Sequence, residues 1–219
     1  MKGKATQTGN PIRPAVLEAA RKPFVPVAED GVLHLLVTGG SQGARVMSDI
    51  VPAAVERLTA AERSRLSIVQ QARAEDAARV EGAYRTLGVQ AEIAPFFKDL
   101  PARIAVAHLV IGRAGASTVA ELAIIGRPSI LVPLPGALDQ DQAANAATLG
   151  KLGAATVILQ DAFTPERLAH EISQRLVAPG LLTQAAEAAK SAGIPDSAQR
   201  LADLVVRVGH MDSAPEIRP

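Results

Sequence analysis

Val32-Leu33-His34-Leu35-Leu36-Val37, followed at once by Thr38-Gly39-Gly40-Ser41-Gln42-Gly43 and then by a helical pattern through Leu58, decides the fold. A short apolar run bounded by turn residues has the length of a buried strand. Glycines directly after it let the chain turn tightly into a helix. Shorter runs of β character recur at 66–70, 89–94, 108–112, 129–132 and 154–159. Helical patterns fall between them at 75–87, 99–107, 115–125, 140–151 and 164–177. Strands alternating with helices of this length predict right-handed βαβ crossovers, hence an α/β protein with a Rossmann-like, doubly wound parallel sheet.

Around this middle, residues 1–31 read as a lead-in, with Pro11, Pro14, Pro23 and Pro26 confining any helix to a short one at 15–21. Residues 32–192 make the main domain. Residues 193–219 hold a last helix, expected at 197–208 after one at 180–192, and a frayed tail. Apolar residues make up 48% of the 219, enough for a full core. With no Trp, one Tyr (Tyr84) and four Phe, that core must be aliphatic, and stacking platforms for nucleic acid are scarce. A net charge of +1 with scattered Lys and Arg carries no footprint for DNA or RNA. The absence of Cys excludes a disulfide framework, a thiolate metal site and a Cys nucleophile, and suits a cytoplasmic protein. Ala5 to Pro11 is polar where a signal peptide needs an apolar run, and no stretch is long enough to span a bilayer. The expectation is a soluble chain whose membrane contact, if any, is peripheral.

Ligands of a doubly wound sheet sit beyond the carboxyl ends of the strands. Two glycine-bearing turns fall there. In Gly39-Gly40-Ser41-Gln42-Gly43, backbone N–H groups can approach an anion at a helix N-terminus, with the Ser41 hydroxyl donating a further bond. The plain alternative is a tight turn with Ser41 as a helix cap. In Gly112-Arg113-Ala114-Gly115-Ala116-Ser117-Thr118-Val119-Ala120-Glu121, small residues leave room for a ligand against a helix opening near Ser117 or Thr118. Glu121 either completes a capping box with Thr118 or accepts hydrogen bonds from a ribose diol, as acidic residues do in dinucleotide folds.

Other chemistries fit less well. Gly39-Gly40-Ser41-Gln42-Gly43 satisfies the Gly-x-Ser-x-Gly elbow of α/β-hydrolases, with Asp161 and His170 or His210 as nominal partners, but it follows the first strand of the sheet. A nicotinamide site lacks Gly-x-Gly-x-x-Gly and an acidic residue after the second strand, which ends in Gln70-Gln71. There is no Gly-Lys-Ser/Thr for a Walker A loop. Asp139-Gln140-Asp141 resembles the Asp-x-Asp metal site of some sugar transferases, but reads better as acidic residues at a helix start.

Taken together, the chain resembles the C-terminal domain of the MurG family, transferases that add N-acetylglucosamine from UDP-GlcNAc to lipid I to give lipid II. The resemblance rests on Thr8-Gly9-Asn10-Pro11-Ile12-Arg13, Gly39 to Arg45, Phe96-Phe97-Lys98-Asp99-Leu100, Arg113 to Glu121 and Gly126-Arg127-Pro128. It continues through Val132-Pro133-Leu134-Pro135, Asp139 to Ala146 and Ile194-Pro195-Asp196. It implies one half of a GT-B glycosyltransferase, with the donor in the cleft between two Rossmann-like domains. Arg13 is then similar to the basic residue near the phosphates, and Ser41, with Gln42 and Gly43, to the loop on the diphosphate. Phe97 matches the position whose backbone pairs with uracil. Ala116, Ser117, Thr118, Val119, Ala120 and Glu121 match the loop and helix start, with Glu121 on the ribose. Gln142 matches the contact to the GlcNAc hydroxyls, and Asn145 lies one turn on. Outside the resemblance, Arg13, Gln142 and Asn145 read as solvated surface residues. The family's glycine-rich N-terminal segment, membrane-facing patch and acceptor-activating base find no match among these residues. The chain alone is therefore expected to bind UDP-GlcNAc without turnover, and to meet lipid I at the cytoplasmic face of the inner membrane only through an N-terminal domain. No cofactor and no metal are implied.

Overall fold

The computed structural model describes residues 5–40, 43–136 and 141–211, with side chains described through 209. Among these, strands β1 (Leu33–Thr38), β2 (Leu66–Gln71), β3 (Gln90–Ala94), β4 (Leu109–Gly112), β5 (Ser129–Leu131) and β6 (Ala155–Val157) form one sheet. Their order is β3-β2-β1-β4-β5-β6, and every neighbouring pair is parallel. This is the doubly wound arrangement that the alternation of strand and helix patterns predicts.

Side chains of β1 alternate between two cores. Leu33, Leu35 and Val37 pack on one face against α2 (Arg45–Glu56), α4 (Ala74–Thr86) and α8 (Pro165–Val177), through Met47, Val51, Tyr84, Leu168 and Ile172. Leu36 joins Val110 and Leu131 on the other face. There they meet α1 (Pro14–Ala19), α5 (Leu100–Val106), α6 (Ala116–Ile125), α7 (Asp141–Lys151) and α9 (Gly180–Ser191). Strands covered on both faces read as continuous apolar runs, which is why β1 and β4 are nearly all buried.

Several boundaries move. The first long helix stops at Glu56, and an unexpected short helix, α3 (Ala60–Ser64), follows because Thr59 and Glu62 form a capping box. Strand β6 is three residues long, where six were expected from 154–159. The last helix, α10 (Ser197–Met211), is almost wholly exposed, with Leu201, Val205 and Val208 open to solvent.

Arg127 fastens the lead-in to the sheet. Its guanidinium is 2% exposed and donates to the carbonyls of Lys22 (3.2 Å), Pro23 (3.1 Å), Ile125 (3.1 Å), Gly126 (3.0 Å) and Ala105. Lys190 adds bonds to the carbonyls of Ala20 (3.1 Å) and Ile124 (2.7 Å). These bridges hold α1 and the Pro23 turn against α5 and α6.

At the amino end of the sheet, His34 N donates to Nδ1 of His108 (3.0 Å), while His108 N donates to the His34 carbonyl (2.9 Å). The first bond needs an unprotonated Nδ1. Burial, aided by the nearby His34 and Arg127 charges, pushes the His108 imidazole down from 6.5 to about 4. On unfolding, His108 regains its ordinary value, so as the pH falls the unfolded chain takes up the proton first. The contribution of the neutral His108 to stability is therefore fully present above about pH 6.5 and declines as the pH falls toward 4. Melting temperatures measured from roughly pH 8 to 4 should fall more steeply for the wild type than for His108→Gln, which keeps an acceptor that does not titrate. Parallel curves would show that His108 is not the group responsible.

Candidate functional site

The strand order reverses between β1 and β4, so a crevice opens beyond their carboxyl ends. Thr38 and Gly112 lie side by side there. A Cβ on Gly112 would come within 2.9 Å of the Thr38 carbonyl oxygen, so only glycine lets the strands close at this point. Both turns singled out in the sequence leave from this pair.

In the first turn, a Cβ on Gly39 would lie 2.0 Å from the backbone nitrogen of Ala44. The chain therefore folds back on itself without room for a side chain. Gly40 and Gly43 have φ of +85° and +69°, and Gly43 N donates to the Gly40 carbonyl (3.2 Å). Ser41 and Gln42 lie outside the described residues. The N-cap of α2 falls on Ala44, with no side-chain cap hydrogen bond. Gln71 fixes this turn from the end of β2. Its Oε1 accepts from Thr38 Oγ1 and Gly39 N, each at 3.1 Å, and its Nε2 donates to the Pro95 carbonyl, also at 3.1 Å. Arg73 Nη2 donates to the Gly43 carbonyl (3.3 Å).

In the second turn, α6 opens at Ala116 with Gly115 as N-cap and no side-chain cap. The capping box weighed for Thr118 and Glu121 is therefore absent, because Thr118 already lies inside the helix. Glu121 instead accepts from Arg13 Nη2 at 2.8 Å, over 108 positions of sequence. The carboxylate side chain is 8% exposed and the guanidinium 62%. Arg13 reaches it from the N-cap of α1, so it is a partner of the site and not a free surface charge. Ala116 and Ser117 are exposed, Thr118 and Ala120 half-buried, and the Val119 side chain belongs to the core.

Helix α7 is tied to the same edge. Gln142 Oε1 accepts from Leu134 N (3.0 Å), and Asn145 Nδ2 donates to the Ala114 carbonyl (3.2 Å). Neither simply faces solvent. Arg113, which the sequence did not mark individually, donates to the carbonyls of Val132 and Pro133 (3.1 Å each) and to Gln160 Oε1 (2.5 Å). It thereby joins the ends of β4, β5 and β6, and burial lowers its pKa. Between Pro133, Leu134, Gln160 and Asp161 lies a cavity of about 450 Å³.

Phe97 stands on the loop after β3. Its ring is 7% exposed and lies under the Arg103 guanidinium, 4.3 Å from the centroid. Glu92 and Asp99 hold that guanidinium at 2.8 Å each, and the hydrogen bond from Arg103 keeps the Asp99 carboxyl below the usual carboxylate range. Phe97 is thus two strands away from the crevice, linked to it through Gln71. A Gln at a buried strand end and an Arg straight after a buried strand were the only sequence signals for Gln71 and Arg113.

Among the described residues, the nominal partners of the hydrolase alternative are not brought together. Asp161 is exposed in a 3-10 turn and His170 is exposed on α8, with no hydrogen bond between them. The His210 side chain lies outside the described residues, as do Asp139 and Gln140; Asp141 begins α7. Among the described residues, no helix is long and apolar enough to cross a membrane.

Residues 34–201 match the model of the glycosyltransferase family 28 C-terminal domain. A protein of Methylobacterium nodulans is 64% identical over 206 residues, 94% of this chain and 55% of the relative. It is named UDP-N-acetylglucosamine--N-acetylmuramyl-(pentapeptide) pyrophosphoryl-undecaprenol N-acetylglucosamine transferase. A protein of the same name from Rhodopseudomonas palustris is 58% identical over 211 residues, 96% of this chain and 58% of the relative. The crystal structure of Acinetobacter baumannii MurG superposes with a TM-score of 0.74 at 32% identity, covering 81% of this chain and 53% of that one. The chain thus spans little more than half the length of these relatives.

The turn after β1 makes a stability test of its own. Gly88 has φ +68° and open space around its Cβ position, so Gly88→Ala should cost about 1–2 kcal/mol from the left-handed backbone alone. Gly39→Ala should cost more, about 3 kcal/mol or above, because backbone must move to admit a methyl group. Urea denaturation compares the two. Equal midpoints would show that the turn after β1 is not packed as described.

Proposed function

The chain belongs to the glycosyltransferase family 28 C-terminal domain family, and from that premise we propose that it holds UDP-GlcNAc for transfer of GlcNAc to lipid I. The observation that carries this reading is the buried Glu121 carboxylate, one turn into α6 beside the β1–β4 crevice, with Arg13 as its counter-charge. The nucleotide lies across the carboxyl edge. Its diphosphate meets the turn after β1 and the uncapped first turns of α2 and α6, where free N–H groups and the helix dipoles favour negative charge. Ser41, Gln42 and Gly43 line the diphosphate, with Arg13 nearby. Glu121 takes the ribose hydroxyls, and the backbone at Phe97 takes uracil. Gln142 reads the GlcNAc hydroxyls while its Oε1 anchors Leu134, with Asn145 one turn on.

Transfer is inverting: the acceptor hydroxyl attacks the anomeric carbon, its proton goes to a base, and UDP leaves. The charge that develops on UDP is met by preorganised N–H groups, which need no rearrangement during the reaction. The base and the lipid I site come from the additional length that the relatives carry, and with it the enzyme works at the cytoplasmic face of the inner membrane. A second reading is a nucleotide-sugar binding module without turnover.

Calorimetry should show UDP and UDP-GlcNAc binding in preference to ADP. Glu121→Ala and Glu121→Gln should each lose about 1.5–3 kcal/mol of UDP binding, as for hydrogen bonds to a charged group. Both should also lose the preference for UDP over 2′-deoxy-UDP. Their melting temperatures should change little, because an ion pair with one exposed partner contributes at most about 1 kcal/mol. Mutants that bind UDP as tightly as wild type would remove Glu121 from the ribose and undo the donor-site assignment at its centre.

A further inference from the structure

We infer that Gln71 is a positioning residue of the donor site, its single side-chain amide coupling the diphosphate turn after β1 to the base-side loop after β3. The inference rests on the donor reading above and adds to it a residue that contacts no ligand.

Gln71 ends β2, the strand between β1 and β3, and is 4% exposed. Both ends of its amide are used. Oε1 takes the Thr38 hydroxyl and the Gly39 N–H, and Nε2 gives its hydrogen to the Pro95 carbonyl, all at 3.1 Å. A flipped amide would set donor against donor at Gly39 and acceptor against acceptor at Pro95, so only one orientation is stable. The amide therefore fixes the first peptide of the diphosphate turn, where Gly39 lies against Ala44 with no room for a side chain. It also fixes the loop two residues before Phe97, whose ring is pinned by Arg103. The segment 95–97 is held at both ends, so its main chain is offered in one geometry.

The position has a further meaning. In dinucleotide-binding sheets, an acidic side chain after the second strand takes the ribose hydroxyls. Here that place holds an amide engaged by Thr38, Gly39 and Pro95, which leaves ribose recognition to Glu121 on the other side of the crevice. Phosphate grip and base selection then depend on the same side chain.

The test compares Gln71→Met, of similar size without the amide, and Gln71→Glu, which keeps an acceptor for Gly39 but opposes the Pro95 carbonyl. Gln70→Met is the control. Gln70 is equally buried but bonds to the Met47 carbonyl and the Tyr84 hydroxyl, away from both loops. Affinities for UDP, uridine and CDP are measured together with melting temperature. Gln71→Met should bind UDP at least tenfold more weakly, with both the UDP-over-uridine and UDP-over-CDP ratios reduced. Gln71→Glu should lose the UDP-over-CDP ratio. Gln70→Met should melt earlier and keep wild-type affinities and ratios. If Gln71→Met does not fold, the UDP-over-CDP ratio of Gln71→Glu decides alone. Wild-type preference for UDP over CDP that survives both Gln71 changes overturns this inference and leaves the donor reading standing. A wild-type chain that does not bind UDP overturns the donor reading and this inference with it.

Discussion

Everything at the carboxyl edge depends on the parallel contact between β1 and β4 at Thr38 and Gly112. Hydrogen bonding alone would align the strands, but their closeness at the last pair is set by the missing side chain of Gly112. From that shared point the chain leaves in two directions. Helix α2 packs into the core on one face and α6 into the core on the other. Their N-termini are thus brought to one crevice from opposite sides of the sheet. A bulkier residue at 112 would separate the turns, and a ligand spanning both would lose one of its helix ends.

The fold was legible because its signals are local. An apolar run, a glycine turn and a helical period recur in order, and each is read within a dozen residues. The two turns were found for the same reason, since Gly39, Gly43, Gly112 and Gly115 announce backbone demands directly. The connections that hold the site together were not legible. Arg13 meets Glu121 across 108 positions, Arg113 meets Gln160 across 47, and Gln71 meets Gly39 across 32. Nothing local tells a long-range hydrogen bond from a solvated side chain, and Gln142 and Asn145 were open to that second reading for this reason. Thr118 and Glu121 show the opposite failure. Their spacing fits a capping box with Thr118 as the cap, but the cap falls on Gly115, three residues earlier, and the box does not form.

The pairing of Glu121 with Arg13 fits a site that must also exist empty. A carboxylate removed from water needs a partner, and one left alone would be strongly destabilising. Arg13 supplies that partner from the lead-in, yet remains 62% exposed itself. Its guanidinium is therefore free to serve a second anion without leaving the carboxylate. Under the donor reading, the same cation stands between the ribose-binding group and the diphosphate, so the segment that carries α1 belongs to the site as well as to the core.

The two ends of the sheet use their polar groups differently. At the amino end, the His34 and His108 backbone groups bond within the protein, and Arg127 directs its guanidinium at five backbone carbonyls. A charge introduced on His108 there works against stability, as its depressed pKa shows. At the carboxyl end, amides and guanidinia of Gln71, Arg113 and Asn145 bond loops to one another, while α2 and α6 begin without side-chain caps. By contrast, α3 and α8 are capped by Thr59 and Thr164. Uncapped starts also occur at α1, α4, α5 and α9, so what sets α2 and α6 apart is that both open on one crevice, where under the donor reading their N–H groups face the diphosphate. The loop bonds hold those groups in position, so under the donor reading a diphosphate binds there with little reordering of the chain, and the affinity lost to conformational entropy is correspondingly small.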